Sequence, residues 1–310
     1  MITHCTLCPR SCGVNRAAGE RGFCGAGETM RIGRASLHHW EEPCLSGTRG
    51  AGTVFFCHCT LRCVYCQNAV ISGQTACESG IPVSEEQLAR TFLLLQEQGA
   101  HNIDLVTPTH YAVQIADSIH IARKNGLTLP IVYNCGGYES PNTLRMLDGL
   151  VDIYLPDLKY FSVYYAERYS AAPDYFDVAC EAVDEMLRQV GTPQFDADGM
   201  MTHGVILRHL MLPTLAQDTA QILRAVSKRW GSRVLVSLMR QYTPLPHVQA
   251  FPELCRRITQ EEYDNACELM AELGLDGFVQ EAESVGESFI PVFDGSGIAA
   301  PSSNTVKVCL

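Results

Sequence analysis

From residue 51 onward, short apolar segments alternate with segments of helical periodicity, and this alternation constrains the fold more than any other feature of the chain. GTVFFCHC (52–59) is mostly apolar, as is typical of a strand covered on both faces. SEEQLARTFLLLQEQG (84–99) places its apolar residues on one helical face and begins with a capping box of Ser84 and Gln87. The alternation predicts a parallel sheet with helices on both faces. We predict strands at residues 52–59, 102–108, 130–134, 151–157, 204–211 and 234–240, and a short strand near 277–280.

The polar segments of the chain favour a barrel or partial barrel. No GxGxxG segment follows the first predicted strand, so a dinucleotide-binding fold loses support. In β/α barrels the chemistry lies at the carboxyl ends of the strands. In this chain, polar residues follow the predicted strands at 59–66, 107–110, 134–137, 157–159, 208–209 and 240–242.

The first 50 residues differ in composition from the rest of the chain. They are rich in Cys, Gly and Arg and show no sustained helical or strand period. Such a segment buries little apolar surface, and a bound metal is the usual substitute for a core. We therefore predict a Cys-rich metal-binding extension at residues 1–50 and a barrel with a C-terminal extension at residues 51–310.

The net charge and the cysteine content limit the class of protein. The chain has 23 Lys and Arg against 34 Asp and Glu, a formal charge of −11, so we expect no nucleic-acid partner. No apolar run reaches the roughly 18 residues of a membrane span, and the start, MITHCTLCPR, lacks the features of a signal peptide. We expect a cytoplasmic protein without membrane contact, whose 15 cysteines serve metal ligation and burial rather than disulfides.

Three cysteines, Cys59, Cys63 and Cys66, follow the first predicted strand within eight residues. Zinc sites typically pair CxxC arms from two separate places. A [4Fe–4S] cube takes one ligand per iron, so a loop with three thiolates leaves one iron open to a substrate. Zinc and metal-free burial are the alternatives. Cys57 is a rival ligand. It lies two residues from Cys59 on an extended strand and would point to the same side, so we assign it a structural role or a role beside the ligands.

Several separated motifs accompany this loop and its aromatic Tyr65. They are CTLCPRSCGVNRAAGERGFCG (5–25), EEPCLSGTRGAGTVFF (41–56), CVYCQN (63–68), LVTPTHY (105–111), DIYLPDLKY (152–160), RHLMLP (208–213) and RQYTP (240–244). Over almost the whole chain they resemble one branch of the radical SAM superfamily, the homologues of the pyruvate formate-lyase activating enzyme. These enzymes use S-adenosylmethionine (SAM).

The resemblance implies an α/β fold of the radical SAM type, a partial (β/α)6 TIM-like barrel that is open at one side, with the Cys-rich N-terminal extension attached. It also implies that the amine and carboxylate of SAM chelate the open iron of a [4Fe–4S] cluster. An electron from the cluster would then cleave SAM to a 5′-deoxyadenosyl radical, which abstracts hydrogen. A donor such as flavodoxin or ferredoxin would supply that electron.

The resemblance further implies which residues bind SAM. Asp157 and Lys159 lie in a segment that is near SAM in the activating enzymes, and Arg208 and His209 match a strand that approaches the SAM ribose or carboxylate. Gly136 would leave room for the adenine. The alternative interpretations are an ion pair at the barrel rim for Asp157 and Lys159, a surface pair for Arg208 and His209, and a simple turn at Gly136.

The second predicted strand departs from the pattern of the family. Many relatives carry Gly-Gly-Glu there to hold the SAM amine, whereas this chain has Thr107-Pro108-Thr109-His110. The hydroxyls of Thr107 and Thr109 and the strand-end carbonyls offer replacement acceptors.

A second group of cysteines, Cys5, Cys8, Cys12 and Cys24, lies near the N-terminus. Four thiolates within twenty residues match a closed site, which holds either zinc or a second iron–sulfur cluster. Metal-free burial is the alternative, and Cys44 is an alternative ligand.

Three functions remain open at this point. The first is a radical SAM enzyme that removes hydrogen from a glycine of a partner protein, a glycyl-radical enzyme, and the second is a radical SAM enzyme that acts on a small metabolite or another peptide. The third is a non-catalytic iron–sulfur or zinc protein. Cys135 and Tyr242 are candidates for donating a hydrogen atom to a substrate radical, whereas we expect His38, His39 and His58 to be surface or packing residues.

Overall fold

Parallel strands around a buried apolar core form the centre of the molecule. This computed structural model of the protein describes residues 1–73, 80–280 and 291–301. The strands are β1 (Met30–His38), β2 (Ala51–Phe56), β3 (Ile81–Val83), β4 (Ile103–Val106), β5 (Ile131–Cys135), β6 (Ile153–Pro156), β7 (Gln194–Phe195), β8 (Met201–Leu210), β9 (Leu235–Met239) and β10 (Gly277–Val279).

The pairing of the strands confirms the predicted fold class. Hydrogen-bonded neighbours follow the order β10-β9-β8-β6-β5-β4-β2-β1-β3, and β7 pairs with β8. Every pair from β2 to β10 along this path is parallel. In the described ranges, β10 and β3 end the path without pairing to each other, so the sheet is a partial barrel. The six strands predicted before residue 241 correspond to β2, β4, β5, β6, β8 and β9, and the predicted short strand corresponds to β10.

Helices follow most of the parallel strands. The predicted capping box of Ser84 with Gln87 is formed, and Thr259 forms another with Glu262. None of the helices in the described ranges has the length and apolarity needed to cross a bilayer. The helices are α1 (Pro43–Ser46), α2 (Ala69–Ser72), α3 (Glu85–Glu97), α4 (Ala112–Lys124), α5 (Pro141–Arg145), α6 (Val163–Ser170), α7 (Tyr175–Val190), α8 (Ala216–Arg229) and α9 (Gln260–Glu272).

β1 is a nine-residue strand in the segment for which we expected no regular structure, and that expectation is wrong. The strand escaped notice because a shift in register between Ile32 and Arg34 interrupts its alternation. β1 pairs antiparallel with both β2 and β3, and Met30 and Ala35 pack into the main core. β1 and β2 thus form one ladder across the division predicted at residue 50.

The parallel register brings the carboxyl ends of the strands together at one rim. Val106 on β4 lies opposite Asn134 on β5. The backbone N–H of Asp157 donates to the carbonyl of Cys135, and Asp157 forms a bridge with Arg208 on β8. The polar segments predicted to follow the strands therefore meet at this rim.

Gly137 provides a test of how tightly the rim is packed. Its φ is +78°, and a Cβ there would lie 2.1 Å from the carbonyl oxygen of Asp157, whereas Gly149, with φ +77°, has open space around that position. We expect Gly149→Ala to cost about 1–2 kcal/mol of unfolding free energy, from its left-handed backbone alone. Gly137→Ala should cost about 1–3 kcal/mol more because of the steric clash.

Urea unfolding of the two variants measures this difference. Equal losses of stability would contradict the close approach of the two rim segments.

Candidate functional site

A cavity of about 220 Å³ lies at the rim. The three cysteines of the loop after β2 and six of the seven residues predicted to bind SAM line this cavity. They come from the carboxyl ends of β2, β4, β5, β6 and β8, so the barrel topology is what brings them together. These nine residues are Cys59, Cys63, Cys66, Thr107, Thr109, Gly136, Asp157, Lys159 and Arg208.

Each thiol of the three-cysteine loop receives a hydrogen-bond donor. A backbone N–H of the loop lies 3.4 Å from Cys59 Sγ. Ser170 Oγ lies 3.0 Å from Cys63 Sγ, and Ser72 Oγ lies 3.4 Å from Cys66 Sγ. Donors of this kind stabilise the thiolate form, which is the form that ligates metal.

The three thiols nevertheless need a positive charge near them. Burial raises the pKa of Cys59 to about 12, and the charges of Cys63 and Cys66 act in the same direction. Burial likewise raises the pKa of Cys66. Three thiolates at these positions therefore require a bound cation to offset their charge. An iron–sulfur cluster meets that requirement.

The number and type of the ligands fit a cluster. Across the described ranges, no three Cys, His, Asp or Glu side chains are close enough to hold one metal ion. The three-cysteine loop supplies one thiolate for each of three irons of a [4Fe–4S] cube and leaves the fourth iron without a protein ligand. This donor set fits the cluster predicted from the sequence.

Cys57, the rival ligand, lies away from the cavity. It is fully buried and packs with Phe55 and Ile71. Its sulfur is so close to Gly80 that a Cβ on that glycine would lie 2.3 Å from it. This position agrees with the structural role assigned to Cys57.

Asp157, Lys159 and Arg208 form a charged group on the cavity wall. Lys159 Nζ lies 2.5 Å from Asp157 Oδ2, and Arg208 Nε lies 3.7 Å from Asp157 Oδ1. Burial alone lowers the pKa of Lys159, but the charges of Asp157 and Cys63 outweigh it and raise that pKa. Lys159 is therefore a fixed cation beside the three-cysteine loop.

Two further carboxylates, Glu41 and Glu42, complete the charged group, and sequence reasoning did not single them out. Arg208 Nη1 lies 2.8 Å from Glu41 Oε2, and Arg208 Nε lies 3.9 Å from Glu42 Oε1. Both glutamates lie between β1 and α1, and nothing in their local sequence places them beside β8. Glu41 lines the cavity with Asp157, Lys159 and Arg208, whereas Glu42 does not, and burial raises the pKa of Glu42. The wall thus presents two carboxylates and two cations, which suits a ligand that carries charges of both signs.

Thr109 and Thr107, the proposed replacements for Gly-Gly-Glu, both line the cavity. Thr109 Oγ1 donates to Glu139 at 2.7 Å, and Tyr133 donates to the same carboxyl group at 3.2 Å. Burial raises the pKa of Glu139 to about 7, although these hydrogen bonds oppose the shift. Because its proton points to Glu139, the Thr109 oxygen can still accept a hydrogen bond from a ligand in the cavity.

His209 is the predicted site residue that the structure places elsewhere. It is buried, with Nδ1 2.7 Å from the Leu158 carbonyl and Nε2 2.9 Å from Thr219 Oγ1. The ring thus joins the rim segment after β6 to α8. The geometry gives His209 a structural contact with both of its ring nitrogens.

Of the two candidates for hydrogen-atom donation, Cys135 lies at the cavity and Tyr242 does not. Cys135 is buried at the end of β5 and lines the cavity. The hydroxyl of Tyr242 donates to the Leu254 carbonyl at 2.7 Å, outside the cavity.

His38 lines the cavity, although we expected it to be a surface or packing residue, and burial lowers its pKa to about 4.

The N-terminal cysteines form a second group outside the cavity. Cys5, Cys8 and Cys24 are buried, and Cys12 is exposed. Cys44, the alternative ligand, packs in a separate apolar cluster with its neighbour Leu45.

Comparisons with known proteins place this geometry in context. No family model matches the sequence. Over 283 residues the chain is 31% identical to uncharacterized protein MJ0674 of Methanocaldococcus jannaschii, which covers 89% of this chain and 77% of that protein.

Two solved structures share the fold. Methylornithine synthase (PylB) matches with a TM-score of 0.50 and 15% identity, over 77% of this chain and 67% of that chain. HydG, a maturase of the [FeFe]-hydrogenase, matches with a TM-score of 0.51 and 12% identity, over 73% of this chain and half the length of HydG. At these identities the likeness shows that this chain shares the fold of the two proteins, an α/β partial barrel.

The buried His209 makes stability depend on pH. Burial lowers its pKa to about 4 from an ordinary 6.5. Between these values the unfolded chain binds a proton that the folded chain does not, so stability is full above pH 6.5 and falls as the pH drops toward 4. The shift corresponds to at most about 3 kcal/mol.

Comparison with His209→Asn isolates this contribution, since asparagine keeps a donor for the Leu158 carbonyl but does not titrate. Unfolding free energies measured from pH 7.5 to 4.5 should fall more steeply for the natural chain than for the variant. Parallel profiles would show that His209 does not titrate in the folded protein as described.

Proposed function

This chain belongs to the same family as uncharacterized protein MJ0674, and we propose that it is a radical SAM enzyme. One observation carries the proposal: the three-cysteine loop and six of the residues predicted to bind SAM share a single cavity. The radical SAM fold of the chain supports it as well.

Cys59, Cys63 and Cys66 would hold a [4Fe–4S] cluster with one open iron, and SAM would occupy the rest of the cavity. When bound and reduced, the cluster supplies the electron that cleaves SAM to a 5′-deoxyadenosyl radical, which then abstracts a hydrogen atom. The protein has to orient SAM for this reaction and keep solvent away from it.

The charges on the cavity wall suggest how SAM is oriented. Lys159 is influenced by the charges of Cys63 and Cys59, so it is placed to bind the SAM carboxylate beside the cluster. Thr109 offers an acceptor to the SAM amine. Glu41, fixed by Arg208, offers an acceptor to the ribose hydroxyls and adds negative charge that favours the sulfonium.

The test is SAM cleavage by anaerobically purified, chemically reduced protein. We expect 5′-deoxyadenosine and methionine from the natural chain. Cys63→Ser should lose cluster iron and reduce cleavage at least about 100-fold, because a first ligand matters no less than the outer groups whose loss costs up to about that factor.

Cys57→Ser is the matched control, since Cys57 lies two residues before the loop and outside the cavity. It should keep both the iron and the cleavage. The third function, a non-catalytic iron–sulfur or zinc protein, would be supported if the natural chain formed neither product.

For the substrate, we propose a glycine in a partner protein, as in glycyl-radical activation. A second cavity of about 860 Å³ shares Glu41, Arg208 and Met239 with the first and extends to β10. β10 is short and largely exposed, and its outer edge has no strand partner within the described ranges. An extended polypeptide can add to such an edge through its main chain. This pairing would place the glycine of the partner protein close to the first cavity.

Deuterium transfer distinguishes this substrate from a small metabolite. With a peptide deuterated at the glycine Cα, we expect deuterium in 5′-deoxyadenosine and a glycyl radical signal in electron paramagnetic resonance (EPR). The same peptide with alanine in place of that glycine is the control. Deuterium that enters only from a labelled metabolite would contradict the glycyl proposal and leave the radical SAM proposal intact.

A further inference from the structure

Positive charge is concentrated in the first part of an otherwise acidic chain. Residues 1–66 contain seven basic residues, all arginines, and four acidic ones, whereas the remaining residues contain 16 basic and 30 acidic ones. All seven cysteines of the two predicted metal groups lie in this same stretch. The distribution suggests that the arginines compensate a negative charge that is not a carboxylate.

Most of these arginines lack a carboxylate partner, unlike those in the rest of the barrel. Within the described ranges, Arg10, Arg16, Arg21 and Arg31 donate to main-chain carbonyls and form no ion pair. In the rest of the chain, the arginines paired with a carboxylate are Arg123, Arg145, Arg168, Arg188, Arg208, Arg229 and Arg256.

Arg16 shows the need for a counter-charge most clearly. Its side chain is only 2% exposed. One terminal nitrogen lies 2.5 Å from the His110 carbonyl, the other lies 3.8 Å from Cys24 Sγ, and Nε has no partner in the described ranges. A buried guanidinium without an anion is costly. The Cys24 sulfur is the group in contact that can carry a negative charge.

Cys24 belongs to a compact group of four thiols. Cys5 and Cys12 both interact electrostatically with Cys24, and Cys5 and Cys24 both interact with Cys8. Gly22 permits the approach of Cys12, since a Cβ on Gly22 would lie 2.4 Å from the Cys12 sulfur. The four residues that the sequence spacing selected are therefore neighbours in the fold.

Four thiolates match both kinds of metal site left open by the sequence, zinc and an iron–sulfur cluster. The position of this group beside the three-cysteine loop favours the cluster, because Arg10 and Arg62 connect the two segments. A redox centre at this position is placed to exchange electrons with a cluster at Cys59, Cys63 and Cys66.

We infer that Cys5, Cys8, Cys12 and Cys24 hold a second [4Fe–4S] cluster, which passes electrons to the cluster at Cys59, Cys63 and Cys66. The electron-transfer part of the inference rests on the proposed radical SAM function. An external one-electron donor, a low-potential flavoprotein or ferredoxin, reduces the N-terminal cluster, which is reoxidised as the cluster at Cys59, Cys63 and Cys66 takes up the electron.

Arg62 lies between the two groups of cysteines. It belongs to the three-cysteine loop, and the charges of both Cys24 and Cys59 act on its guanidinium. The guanidinium lies 3.9 Å from the centre of the Phe23 ring, next to Cys24, and that of Arg10 lies 4.0 Å from the same ring. Arg10 also donates to the Thr60 carbonyl, within the three-cysteine loop. The two cysteine groups are thus joined by direct contacts.

Metal and sulfide analysis of the full chain, purified without oxygen, tests the second cluster. We expect about eight iron atoms and about eight sulfides per chain, falling to about four of each in Cys5→Ser/Cys24→Ser. Cys12→Ser, which alters an exposed residue and leaves the buried thiols in place, provides a second variant in case the double variant fails to fold, and it should lose or destabilise the same cluster.

Cys44→Ser is the control, since Cys44 is buried in another cluster of side chains, and it should keep all the iron. One zinc per chain with about four iron atoms, or about four iron atoms without a second metal, would overturn the inference. Loss of iron in Cys44→Ser would overturn the assignment of the ligands.

EPR of the reduced protein tests the electron transfer. Two reduced clusters that are neighbours should broaden each other's signal through spin coupling, and the broadening should disappear in Cys12→Ser. Two clusters without coupling would overturn the relay. None of these measurements requires SAM, so a protein that has both clusters but does not cleave SAM would contradict the proposed function and not this inference.

Discussion

The buried guanidinium of Arg208 connects the segments on which the candidate site depends. It extends from β8 to Glu41 and Glu42, which precede α1, and to Asp157 at the end of β6. Leaving one member of such a buried pair without its partner costs about 3–5 kcal/mol. The segment after β1 is therefore held against the rim by charge, in addition to the antiparallel pairing of β1 with β2.

Charge is distributed differently at the two predicted cofactor positions. The wall of the cavity has the carboxylates Glu41 and Asp157 and the cations Lys159 and Arg208, which suits the amine and carboxylate of SAM. The region around the N-terminal cysteines has arginines without carboxylate partners, which suits thiolate ligands. Around the N-terminal cysteines the protein's own charges are thus left incompletely balanced, as expected where a charged ligand is part of the folded structure.

The sequence predicts the barrel and much of the cavity for clear physical reasons. Strands covered on both faces have to be apolar, which makes the parallel strands visible in the sequence. Asp157 and Lys159 are two residues apart after a strand, so they point to the same side, and both reach the cavity. The three-cysteine loop is recognisable from spacing alone.

Other parts of the site depend on contacts that no local pattern reveals. β1 escaped notice because its register shift breaks the alternation, and Glu41 and Glu42 become site residues only through their distant partner on β8. His209 is different, because its position follows from a rule that was available. Neighbouring residues on a strand point to opposite faces, so the prediction that both Arg208 and His209 bind SAM conflicts with this rule.

The central claim is that the fourth position of the cluster at Cys59, Cys63 and Cys66 is left open for SAM. The most direct measurement is electron–nuclear double resonance on the reduced protein, with SAM labelled with ¹⁵N at the amine and ¹⁷O at the carboxylate. Our account predicts hyperfine coupling from both labels to the cluster, in Cys12→Ser as well as in the natural chain. A cluster signal that is unchanged by labelled SAM would contradict it.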